Sequence, residues 1–157
     1  MREKMPTAPN ISMLFITLHV GERQSLGLVL ADDGSINRLG NGTVENTEND
    51  LYIGITSEPL FDRVIRKLPS EIVEHLGKTY ELPDRKGADC RLHLAFRFKT
   101  GNENGIEFIY GSDSQGPPAE VVSFAVEAIE ATQPWYEAQK TMDRKDKKAS
   151  WWKFWKR

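Results

Sequence analysis

Hydrophobic positions change period several times along the chain, and each change marks an element. Ile11 to Val20 (ISMLFITLHV) is apolar at nearly every position. That pattern predicts a central strand covered on two sides. GERQS interrupts the run, and LGLVLADDGSINRL then reads as a hairpin, its Asp33-Gly34 pair supplying the positive φ angles of a tight turn. Gly40 to Asp50 (GNGTVENTEND) follows neither period. It predicts an exposed loop, and its carboxylates lack the spacing of a calcium loop.

Leu51 to Thr56 (LYIGIT) predicts a further strand. SEP after it predicts a helix start, with Ser57 as the cap and Pro59 in the first turn. Leu60, Phe61, Val64, Ile65 and Leu68 recur at helical spacing and give one apolar stripe. Pro69 ends it, and Ser70 to Leu76 predicts a second short helix capped by Ser70 and closed by Gly77. Cys90 to Lys99 alternates strictly: Cys90, Leu92, Leu94, Phe96 and Phe98 on a core face, Arg91, His93, Ala95, Arg97 and Lys99 on a wet one. TGNENG turns the chain, and IEFIY returns as the antiparallel partner. Val122, Ala125, Val126 and Ile129 then line a helix from Ala119 to about Ala131, with Pro134-Trp135-Tyr136 expected to end the body.

This order of elements predicts an α+β fold, a mostly antiparallel sheet with two or three helices packed on one face. The expected organisation is a disordered arm over 1–10, one domain over 11–139, and a charged tether with a flexible basic-aromatic tail over 140–157. A composition of 39% hydrophobic and 28% charged residues excludes wholesale disorder. The single cysteine, Cys90, excludes an intrachain disulfide and fits a reducing compartment. Pro6 and Pro9 precede the first apolar run, while Thr17 and His19 break it. It therefore reads as neither a signal peptide nor a membrane span, and the expected location is cytoplasmic, at the inner face of a membrane.

Charge is where the two ends part company. The chain holds 21 basic and 23 acidic side chains, of which residues 140–157 hold 8 and 2, leaving 13 and 21 to residues 1–139. A body of net −8 thus carries a tail of net +6. The tail ends in KASWWKFWKR. Wound as a helix, Trp151, Trp152, Phe154 and Trp155 share an arc of about 160°, and Lys153, Lys156 and Arg157 occupy the remainder, with Ser150 at the cap position. An isolated helix below about 12 residues is marginal in water, so these rings need an outside surface. An anionic membrane surface or a groove on a larger protein fits them; nucleic acid is not expected.

Catalytic chemistry has little to point to. Cys90 and His93 lie three apart in a strand and so face opposite ways, and the sequence predicts no metal and no cofactor. Arg91, His93, Arg97 and Lys99 make a basic stripe that Glu107 and other cross-strand acids are placed to neutralise. The approach to the last helix, GSDSQGPP, offers Ser112, Ser114, Gln115 and Gly116 as an anion-binding group. The expected function is a non-catalytic binding or adaptor module attached by its tail. The alternatives are a small inhibitor or immunity-type protein for a basic target, or an enzyme with its anion site near residues 111–118.

Overall fold

The computed structural model describes residues 10–155, with side chains as far as Lys145. Most of the predicted N-terminal arm lies outside these residues, and Asn10 accepts the Lys99 backbone N–H at 2.8 Å. The elements run β1 (Ile11–Val20), β2 (Arg23–Ala31), β3 (Ser35–Leu39), β4 (Leu51–Ile55), α1 (Leu60–Ile65), α2 (Ser70–Glu74), β5 (Thr79–Glu81), β6 (Asp89–Phe98), β7 (Glu103–Gly111) and α3 (Ala119–Trp155). The strands form one seven-stranded sheet in the order β4-β3-β2-β1-β6-β7-β5. Neighbours are antiparallel except β5 beside β7. This is the α+β architecture the pattern predicts.

Alternation decides which face is core. Across the register, Leu28, Ile16, Leu94 and Ile106 form one row and Ile36, Leu30, Leu14 and Phe96 the next. Both rows are buried beneath Leu60, Phe61, Val64 and Ile65 of α1, Ile72 of α2, and Val121, Phe124 and Ala128 of α3. Among the described residues the opposite face carries no helix. β1 is central, but it is covered by helices on one side only: Met13, Phe15, Thr17 and His19 point to the open face and are half-buried. Neighbouring strands shade them, as where the Arg97 guanidinium lies 5.6 Å from the Phe15 ring centroid.

Several local expectations change. Pro59 and Pro69, not Ser57 and Ser70, stand at the cap positions of α1 and α2, and no side chain caps either helix. β5 is too short, at three residues, to carry a period. The 40–50 loop is folded around a buried side chain: Asn46 Oδ1 accepts the backbone N–H of Asn41 and of Glu48, and its amide donates to the Glu48 carbonyl.

The largest difference is α3. Pro134 does not stop it, and the helix runs 37 residues, about 55 Å at 1.5 Å per residue. A proline inside a helix costs about 3 kcal/mol. Here Pro134 faces solvent, while Thr132, Trp135 and Tyr136 around it pack inward and offset the loss. The charged stretch after 140 is helical because extending an existing helix needs no new nucleus, and cations near a helix C-terminus meet a favourable dipole. Packing also reaches past 139, since Lys140 is 8% exposed.

Candidate functional site: an anchored helix and an open sheet face

Beyond its core contacts, α3 is held to the sheet by a polar cluster at the β3–β4 end. Arg38 shares the covered face with Ile36 and is 0% exposed. Its Nε donates to Gly40 O at 3.0 Å, Nη1 to Ile129 O at 3.1 Å and Thr132 Oγ1 at 2.8 Å, and Nη2 to Gln133 Oε1 at 2.8 Å. The fork of donors thus ties β3 to two successive turns of α3. Burial pulls the guanidinium pKa down to about 10, which still leaves it charged at neutral pH.

Tyr136 is the second part of the lock. Its hydroxyl accepts the Gly40 N–H at 2.9 Å and donates to Asp50 O at 3.0 Å, completing the β3–β4 ladder where the strands diverge. Its ring lies between cations, with Arg38 Cζ 4.8 Å and Lys140 Nζ 4.2 Å from the centroid. Lys140 donates to Glu48 Oε1 at 2.6 Å and to Glu137 Oε1 at 3.1 Å. Burial opposes the ammonium, but hydrogen bonds to Glu48 and Glu137 outweigh it and raise the Lys140 pKa. The hydrogen bond from Lys140 in turn holds Glu137 below the ordinary carboxylate range. Tyr52 then donates to Asp143 at 3.1 Å, so the helix is gripped from Ile129 to Asp143.

The arrangement fixes the orientation of α3 against the sheet from Ile129 to Asp143. Trp151, Trp152, Lys153, Phe154 and Trp155 lie on its last turns; their side chains, and all of Lys156 and Arg157, fall outside the described residues. Ser112 and Ser114 have structural partners: their hydroxyls accept the Ala88 and Lys86 backbone N–H groups at 2.8 and 2.7 Å. They fasten the loop ahead of β6, while Gln115 is exposed and Gly116 lies beside the Tyr110 ring.

The open face divides in two. Toward β6 and β7 it is charged: Glu107 meets His93 Nδ1 at 3.5 Å and Arg91 Nε at 3.8 Å, and Arg97 is paired with Glu103. Glu107 and Glu103, both on the neighbouring strand, thus face Arg91, His93 and Arg97 of the basic stripe. A groove of about 650 Å³ runs here, lined by Thr17, His19, Arg85, Arg91, His93 and Glu107. It holds a histidine–carboxylate pair but no serine; Cys90, which touches its wall, is itself buried, and its thiol pKa is pushed up by that burial. Among the described residues no group of three or more His, Cys, Asp or Glu is placed to hold a metal ion, and no helix is long and apolar enough to cross a membrane.

Toward β4 the open face is apolar. Leu51, Ile53 and Ile55 are 52%, 71% and 79% exposed. Compared with models of known protein families, with curated proteins and with solved structures, the chain matches none.

Proposed function

We propose that the chain is a non-catalytic binding module whose acidic body is held at an anionic membrane surface by the aromatic-basic segment 151–157. The observation that carries this reading is the continuity of α3, gripped by Arg38, Tyr136 and Lys140 and helical through Trp155. The segment extends a helix that already exists, so the surface does not have to supply the nucleation that an isolated seven-residue peptide lacks. Tryptophan rings settle at headgroup depth, and each Lys or Arg near an anionic leaflet adds about 1 kcal/mol. A segment this short gives reversible attachment. The body, with its excess of acidic side chains, is repelled by the same surface and stands off at the far end of the helix.

The test is co-sedimentation with vesicles of phosphatidylserine and phosphatidylcholine at low salt, comparing the full chain with one ending at Ala149. The full chain is expected in the pellet, released by added salt, and the shortened chain in the supernatant. Full-length protein remaining in the supernatant overturns the membrane reading.

A further inference from the structure

We propose that β4 is a self-pairing edge through which two copies of this chain join antiparallel about Ile53 into one continuous sheet. β4 is the terminal strand on its side of the sheet. Its hydrogen-bond phase follows from its partner: Thr56 N–H donates to Gly34 O at 2.9 Å, and Tyr136 bridges Gly40 N–H to Asp50 O. In an antiparallel ladder bonded residues alternate, so even-numbered positions of β4 turn toward β3. The N–H and C=O groups of Leu51, Ile53 and Ile55 are directed outward along the free edge. These same residues carry their side chains on the open face and are the large hydrophobics β4 leaves exposed.

The occupant follows from symmetry and charge. Antiparallel pairing about a two-fold axis at Ile53 sets Ile53 against its own copy and Leu51 against Ile55 of the other. Each facing pair exchanges two backbone hydrogen bonds, and the two apolar rows meet on a single face. LYIGI contains no charge and no proline, so it lacks the devices by which edge strands resist pairing, and nothing in it repels its own copy. A strand of five residues offers less than the roughly 1,200–2,000 Å² that stable interfaces bury, so the pair is a concentration-dependent dimer. This inference stands apart from the membrane reading, because the edge lies on the body and not on the tail.

The experiment is sedimentation velocity of the full chain over a concentration series, with three variants beside it. Wild type is expected to pass from monomer to dimer. Ile53→Lys sets two ammonium groups face to face and is expected to raise the dimer dissociation constant at least about tenfold, with its circular dichroism and, at a concentration where both proteins are monomeric, its melting temperature unchanged because position 53 is 71% exposed. Ile53→Cys is expected to form a cross-linked dimer on mild oxidation, since the two Cα atoms of a facing bonded pair lie about 5.5 Å apart, within disulfide reach; Cys90 is buried and does not compete. The chain ending at Ala149 is expected to dimerise as wild type does. A wild type that stays monomeric, an Ile53→Lys variant that dimerises with the wild-type dissociation constant, an Ile53→Cys variant that fails to cross-link, or a dimer lost on removing the tail each overturns the proposal. Pairing of β4 with a strand of another protein corresponds to the first of these results.

Discussion

The two faces of the sheet are built from the same strands and alternate residues, yet they carry different loads. On the covered face Leu14, Ile36 and Phe96 are wholly buried under the helices. On the open face Ile53 and Ile55 stand largely in water. Stability therefore resides in one face, while the other is free to vary toward recognition. The sharpest way to break this division is Phe96→Ala set against Ile53→Ala, followed by urea unfolding at a concentration where the protein is monomeric. Phe96→Ala is expected to cost about 3–5 kcal/mol, through lost burial and a residual cavity. Ile53→Ala is expected to stay within about 0.5 kcal/mol of wild type. Equal losses would mean that the open face is covered in the native protein.

The polar lock on the covered face ranks next. Tyr136→Phe keeps the ring between Arg38 and Lys140 but removes the hydroxyl that serves Gly40 N–H and Asp50 O. A buried backbone donor and a part-buried acceptor lose their partner together, so the expected loss is about 1–3 kcal/mol. Amide hydrogen exchange gives a finer readout, with faster exchange at Gly40 and at the 40–50 loop and no change at the β6–β7 hairpin. A loss spread evenly over the sheet would show that Tyr136 supports the fold at large and not the seat of α3.

How legible these features are in the sequence depends on whether the deciding force is local. The Asp89–Phe98 strand and the place of the hairpin turn can be read directly, because alternation and a positive φ at Gly34 are properties of a few neighbouring residues; of the two positive φ angles expected for the Asp33-Gly34 pair, Gly34 alone has one. The one-sided covering of β1 cannot, because Met13 and Phe15 are apolar yet face the open side, where adjacent strands shade them. Pro134 misleads for the opposite reason. Its local penalty is real, and contacts distant in sequence, from Arg38 to Thr132 and Gln133, override it. Arg38 itself leaves a signal: it is two residues from Ile36 in a strand and so shares its buried face, where a guanidinium must find acceptors. Of the tail, the helical winding of the backbone through Trp155 is present, and the separation of rings from charges rests on the order of residues alone.

The smallest expected effect concerns the rim of the lock, where pH separates the contribution of Glu137 from that of the buried groups. Lys140 holds the Glu137 carboxylate below its ordinary pKa. A carboxylate depressed in the folded state contributes stability that is present above its unfolded pKa and is lost as pH falls through the folded value. The Lys140 pKa is raised instead, so its contribution is complete below the unfolded value of about 10.4 and fades only as pH rises through the folded one. Between these limits the pair is insensitive to pH. Melting temperature followed downward from neutral pH should therefore fall as the pH drops through the Glu137 range, and Glu137→Gln should flatten that part of the curve. The Glu137 side chain is 53% exposed, and solvent screening keeps the difference below about 1 kcal/mol. At neutral pH, where the Glu137 contribution is complete, the variant should lose that amount and no more, because Glu48 keeps its 2.6 Å contact with Lys140. Identical acid limbs for wild type and Glu137→Gln would place the whole of the Lys140 tether on Glu48, and with it the junction between the 40–50 loop and the helix that carries the tail.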